Sequence, residues 1–524
     1  MTPLPPNYSP ELIFGVIGPA GADLGGVSTA LENELQRYRY KAKILLVSDL
    51  FRSLPGFDHL GGITRPRGLN DYEVLMSAGD AIRRRANRKD AAILMALTSI
   101  IDSHGDWTKE PRDTAWILNS IKTPQEADLL NVVYGGRCWL LSVFTKRESR
   151  IQQIADELAR QRGGTVGRVE TQEAADLVER DEGGVTIDEF GQNVGEAFPL
   201  GDYFIDVDRD DLQAQLQRFL RLVFADPFMT PQRDEQLMFV AYGAAMRSAS
   251  LSRQVGAAIS VEDGAIVAIG ANEVPKAGGG QYWAEDSNAK ATDDGRQFRQ
   301  AEDLSETTKD AMVRELLASI EELLKDPVDS VFASLDRKKL RVFDLLEFYR
   351  EMHAEMAAVI DAARRGVSIR EGTLATTTFP CHDCAKHIIG AGIRRVLFIQ
   401  PYVKSRAAEL HRDALVIGHE RPIDVIFQGN PVTFETYRGI APKRYIEVFR
   451  MPARKVAGTQ VTWREGVAEP RTGLLGSKLT QFEVVEAERA GQWSGVVVRE
   501  QVLGKRLPTI IKALEEAINA ERTT

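Results

Sequence analysis

The sequence predicts an α/β protein built as two sheet-based domains, a doubly wound parallel sheet followed by an αβα layered domain. Three observations predict it. From Leu12 to Val207, apolar runs of strand length alternate with helical stretches, the order that parallel βαβ units leave in a sequence. Asp226-Pro227-Phe228-Met229-Thr230-Pro231 interrupts that alternation with two prolines, a boundary signal. Beyond it come a helix, a hairpin and a helix–strand–helix run that starts near residue 353. At 524 residues, 43% apolar and 27% charged, the chain has the length and balance of two or three soluble domains.

The first domain is expected over residues 1–225. Leu12–Ile17 reads as a buried strand, and Gly18 to Thr29 follows as a glycine-rich turn opening a helix that runs to Tyr38. Strand, turn and helix are the context a P-loop needs, and Gly21, Gly26, Ser28 and Thr29 are its candidate nucleotide-binding positions. Val27 stands where the pattern has lysine, so two readings stay open. Either backbone amides and the helix N-terminus still hold a nucleotide, or the fold is a scaffold. Lys43–Val47, Ala91–Ile101, Ala115–Ser120, Trp139–Phe144 and Tyr203–Val207 are further expected strands, with a helix over Tyr72–Arg88. Asp49 and Asp102 fall just past strands, as cap residues or as acids. Arg83-Arg84-Arg85 is expected on a solvated helix face.

The second domain is expected over 233–430, with an insertion at about 276–335. Arg233–Ser250 has helical spacing, and Val255–Val261 with Ala265–Ile269 forms a hairpin around Asp263-Gly264. Glu315–Leu324 and Lys338–Tyr349 read as amphipathic helices. Residues 431–524 are expected to add short strands at Tyr445–Phe449, Gln460–Trp463 and Gly495–Val502, packed on the second domain.

The chemistry gathers at His353-Ala354-Glu355 and Pro380-Cys381-His382-Asp383-Cys384. H-x-E followed by P-C-x-x-C is the signature of zinc-dependent nucleobase deaminases. One imidazole and two thiolates leave a fourth tetrahedral position for water, whose pKa falls from about 16 to about 7 on the metal. His353, Cys381 and Cys384 are therefore the expected Zn2+ ligands and Glu355 the proton carrier. His353 and Glu355 lie about 200° apart on an ideal helix, so the helix must begin at His353 for both to converge. Pro380 suits a first helical turn, and Cys381 and Cys384 then share one face of it. A C-x-x-C alone would suit a redox pair or half a zinc ribbon. A ribbon needs a second pair, and the third cysteine, Cys138, stands by itself in an apolar run.

Ser252-Arg253-Gln254-Val255-Gly256-Ala257-Ala258-Ile259, Gly270-Ala271-Asn272-Glu273-Val274-Pro275 and the two motifs resemble the deoxycytidylate deaminase family over roughly 233–430. With the P-loop-like first domain and Ser120-Ile121-Lys122-Thr123-Pro124-Gln125-Glu126, the chain looks like the anti-phage dCTP deaminases of bacteria. The resemblance implies a P-loop-kinase-like domain joined to a cytidine-deaminase-like αβα domain. It implies that Asn272 holds the deoxyribose and that Arg253, Lys404 and Arg406 contact phosphate; a turn residue and solvated surface charges are the plainer readings. It further implies free deoxycytidine nucleotides as substrates, dCTP and dCMP. A defence role, homo-oligomers from dimer to hexamer and, in some relatives, an inhibitory small RNA follow from the same likeness.

Composition narrows the partners. A net charge of −9 disfavours a polynucleotide. Three cysteines offer no disulfide framework, and no apolar stretch nears the roughly 20 residues of a membrane span. A cytoplasmic protein without a membrane partner is expected.

Overall fold

The computed structural model describes residues 9–51, 69–103, 112–182, 189–208, 211–286, 294–300, 303–337, 340–345, 347–401, 405–418, 427, 429–450 and 453–471. The chain divides into two compact α/β units, Met1–Pro231 with the chain from Arg438 onward, and Gln232–Tyr437. Lys404 and the expected strand at Gly495–Val502 lie outside the described residues.

In the first unit, β1 (Leu12–Ile17), β2 (Lys41–Leu46), β3 (Thr114–Ile121), β4 (Cys138–Phe144) and β5 (Tyr203–Asp206) form a parallel sheet in the order β5-β4-β1-β3-β2. Central β1 is buried at every position, which explains why it is a continuous apolar run rather than an alternating one. Ala91–Ile101, expected as a strand, is instead most of the helix Ala91–Asp102, buried among Ile13, Ile17, Leu118 and Leu140. Arg83 is no solvated residue. It is 2% exposed and donates to Asp80 (2.8 Å), Glu126 (3.3 Å) and the Phe190 carbonyl (2.8 Å).

The second unit carries β6 (Gly256–Ser260), β7 (Ile266–Ala271), β8 (Thr373–Thr378), β9 (Arg395–Gln400), β10 (Leu415–Ile417) and β11 (Val432–Thr436) in the order β10-β11-β9-β8-β6-β7. β6 pairs antiparallel with β7 and β8, and the remaining neighbours are parallel. The helix Ala354–Arg365 rests on this hairpin at very short range. A Cβ on Gly270 would meet the Ala354 carbonyl at 2.2 Å, so only glycine admits the helix whose start carries the site. In the insertion a helix runs over Leu304–Ser319, earlier than expected, and among the described residues of 338–349 there is a 3-10 turn at Arg341–Asp344 and no α-helix.

The C-terminal segment corrects a second expectation. It belongs to the first unit, where β12 (Gly439–Ile440) pairs antiparallel with β5. Buried Asp202 accepts from Arg444 Nε (3.0 Å) and pairs with Lys443 (2.9 Å), fixing the segment. Tyr445–Phe449 is a short helix rather than a strand.

Candidate active site

Two chain reversals build the site. β8 ends at Thr378, Phe379-Pro380 turns the chain, and Cys381 becomes the N-cap of the helix His382–Gly390. Its Sγ accepts from the Cys384 amide at 3.4 Å, so the thiol at once caps the helix and sits at the positive end of the helix dipole. Glu273 bridges Met352 across the second reversal, and His353, extended at φ −66° and ψ 150°, caps the helix Ala354–Arg365. This non-helical histidine removes the 200° separation, so His353 and Glu355 point into one space.

His353 Nδ1 lies 3.2 Å from Cys381 Sγ and 3.3 Å from Cys384 Sγ. Among the described residues this is the only group of three or more histidine, cysteine or acidic residues close enough to share a metal, its ligand atoms within 4.8 Å of one another. The hydrogen bond to Cys381 lifts the His353 imidazole to about 9. The neighbouring Cys384 thiol and then His353 bring Cys381 down to about 4, while Cys384 is pushed up by Cys381 and by burial. Stored thiolate beside an imidazole and a second thiol is a soft N/S donor set, and zinc fits it.

Glu355 is 4% exposed. Its Oε1 accepts from Thr376 Oγ1 (3.1 Å), and Cys384 Sγ lies 3.5 Å from Oε2. Burial pushes the carboxyl above the ordinary glutamate range, with the His353 charge partly opposing. A carboxyl displaced toward neutrality can both take and return a proton. His353, Glu355 and Cys381 open on a cleft of about 230 Å³ whose lining includes Asn272 and Arg253.

The remaining expected site residues fall differently. Asn272 reaches the cleft, yet its Oδ1 accepts from the Val255 amide (2.7 Å) and its Nδ2 donates to the Arg253 carbonyl (2.7 Å). It holds the Arg253–Val255 loop in place. Arg406 is exposed, bonded to Glu409 at 2.7 and 2.9 Å, and absent from the cleft lining. Sequence reasoning missed Thr376, Phe379, Tyr349 and Glu351 beside the site. Thr376 was readable in principle, since it is a hydroxyl at an inward position of the strand leading to Cys381.

In the first unit, Gly21 has φ +81° and Asp23 caps the following helix, its Oδ1 accepting from the Gly26 amide at 2.8 Å. Ser28 is buried and its hydroxyl donates to the Leu24 carbonyl (2.8 Å); Thr29 lies one residue further along the same helix. Val27 is fully buried in the core.

Residues 231–400 match the family model described as the cytidine and deoxycytidylate deaminase zinc-binding region. Over that span, about a third of its length, the chain is similar to the zinc-binding region of cytidine and deoxycytidylate deaminases. The deoxycytidylate deaminase of Enterobacteria phage T2 is 43% identical over 56 residues, 11% of this chain and 30% of the relative. A probable deoxycytidylate deaminase of Drosophila melanogaster is 35% identical over 102 residues, 18% of this chain and 49% of the relative. The chain spans less than half the length of these curated relatives. A solved dCMP deaminase from the cyanophage S-TIM5, in complex with dCMP and dUMP, matches 40% of this chain and 100% of its own at 19% identity and a TM-score of 0.23. No helix among the described residues is long and apolar enough to cross a membrane.

Proposed function

We propose that this chain is a hydrolase that deaminates deoxycytidine nucleotides, dCTP to dUTP and dCMP to dUMP. Its resemblance to anti-phage deaminases supports dCTP depletion in defence as the use of that reaction. The observation that carries the chemistry is the convergence of His353, Cys381 and Cys384 on one point beside buried Glu355, inside a cleft. His353 Nδ1 and the two thiolates would hold a zinc ion, which supplies Lewis-acid activation of water at neutral pH.

Glu355 takes a proton from the attacking water and gives it to ring N3 as the new C4–O bond forms. It then passes the second water proton to the departing N4 amine, so that cytosine and water become uracil and ammonia. Thr376 fixes Oε1 of Glu355 during both transfers. Asn272 keeps the Arg253–Val255 wall of the cleft in register against the sugar.

The likeness to deoxycytidylate deaminases and the net charge of −9 support a free nucleotide over a polynucleotide. Purified zinc-replete protein incubated with dCTP, dCMP, deoxycytidine and a cytosine-containing oligonucleotide tests this. Ammonia and a deoxyuridine nucleotide are expected from the free nucleotides. Conversion of the oligonucleotide alone would assign the polynucleotide reaction instead, and no conversion at all would remove the reading.

A further inference from the structure

We infer that Gln297, Asp303–Glu306 and Phe348–Glu351 build a second subsite, continuous with the catalytic cleft, for the phosphoryl chain of the nucleotide. This rests on the deaminase reading above. A cavity of about 210 Å³ adjoins the cleft of about 230 Å³, and Ser250, Ser252, Tyr349 and Glu351 line both. Either space alone falls below the roughly 300–1,000 Å³ of small-molecule sites, whereas the joined space falls within that range. The volume therefore suits a ligand whose reacting base sits at Glu355 and whose polar tail extends into the neighbouring cavity.

The chemistry of the second cavity says what that tail is. Gln297, Ser305 and Arg350 all line it, and each has a buried polar atom, Oε1, Oγ and Nη1 in turn, with no hydrogen-bond partner among the described residues. Gln297 is 5% and Ser305 2% exposed, so water at the protein surface does not satisfy them. Folded interiors leave few polar atoms unpaired, and three around one cavity mark a polar occupant. Ser305 stands in the first turn of the 16-residue helix Leu304–Ser319, whose N-terminal end is electropositive.

Two of the three carboxylates at this wall, Asp303 and Glu306, are already engaged. Asp303 Oδ1 accepts from the Ser305 (2.9 Å) and Glu306 (3.3 Å) amides, and Glu306 pairs with Lys309 (3.4 Å) and Arg337 (2.8 Å). Arg350 Nη1 has no such partner among the described residues. Its guanidinium, with the hydroxyls of Ser305, Ser250 and Ser252, forms a donor set suited to phosphoryl oxygens. Gln297 Oε1 and Glu351, both acceptors, suit a sugar hydroxyl or an ordered water. The fit is to a nucleotide bearing more than one phosphate, because a bare nucleoside leaves the second cavity unused.

The unreactive products make the test. Isothermal titration of the full zinc-replete chain compares dUTP, dUMP and deoxyuridine. The wild-type chain should prefer dUTP. Arg350→Gln should cut that preference on the order of 10- to 100-fold, the size of a lost hydrogen bond to a charged group. Ser305→Ala should lower it less, and Arg350→Lys should recover part. Should Arg350→Gln fail to fold by circular dichroism, Ser305→Ala and Arg350→Lys carry the comparison. A preference for dUTP that survives in every folded variant would overturn the subsite and leave the cavity to water. A wild type that deaminates free nucleotides without preferring dUTP would overturn it too, leaving the functional reading intact. A wild type that neither deaminates nor binds them brings down both.

Discussion

At the scale of single residues, the site depends on which atom can carry a proton. Glu355→Gln keeps the shape and the Thr376 contact but cannot exchange protons. Deamination of dCTP should fall by about 10²–10⁴-fold, the usual share of a general acid–base. Elemental analysis should show zinc retained, since Glu355 is not among the three clustered donors. Turnover that survives the change would place the proton carrier elsewhere. The motif residues were legible because zinc chemistry dictates their types and because two residues of spacing dictated a helix start at His353. Asn272 was legible only as a position. A polar residue after a hairpin strand looks the same whether its amide serves a ligand or the chain, and its contacts with Arg253 and Val255 come from long-range packing that no local pattern announces. Arg406 pairs with Glu409, three residues on, a contact that the sequence reading did not anticipate.

At the scale of elements, the parallel strands were legible because burial on both faces leaves continuous apolar runs. The same property misled at Ala91–Ile101, where a fully buried helix and a fully buried strand share one pattern. The C-terminal segment was misplaced for a different reason. Its anchor is a tertiary ion pair between Asp202 and the Lys443-Arg444 turn, which no local pattern announces. Burial alone would raise the Asp202 carboxyl, but Lys443 and Arg444 outweigh it and hold the group below the ordinary aspartate range. Asp202→Ala removes the buried carboxylate that serves Arg444, the partly exposed Lys443 and the Leu140 amide, so it should cost about 3–5 kcal/mol in urea unfolding of the first unit. The sign in pH follows from the depressed carboxyl. Its contribution is complete above the unfolded aspartate value of about 3.9 and is lost as pH falls through the folded value. The gap between wild type and variant should therefore close on acidification. A loss under about 1 kcal/mol would class the pair with surface ion pairs.

At the scale of the whole molecule, the question is how many nucleotides one chain holds. The first unit has the strand, glycine turn and helix of a phosphate cradle, yet several of its donors are already engaged. Asp181, fully buried, accepts from the Ala20 amide at 2.5 Å and from Lys122 Nζ at 3.0 Å, and the same Lys122 donates to the Gly18 carbonyl at 3.0 Å. A carboxylate from the chain itself thus takes the turn's amide and the nearest lysine, where a phosphate would otherwise compete for them. The Gly26 amide serves Asp23 and the Ser28 hydroxyl serves Leu24. A phosphate that took the Ala20 amide and Lys122 would break the Asp181–Lys122 pair, and removing one partner of a buried pair costs about 3–5 kcal/mol. That would subtract roughly half of the 8.2 kcal/mol that a micromolar ligand supplies. Titration of the wild-type chain with dUTP should accordingly saturate at one nucleotide per chain, and His353→Ala with Glu355→Ala should abolish that single event. ATP should produce no binding isotherm of its own at micromolar concentrations. A second nucleotide per chain, surviving the double substitution at the deaminase site, would show that Asp181 gives way and that the valine-bearing turn is a working site.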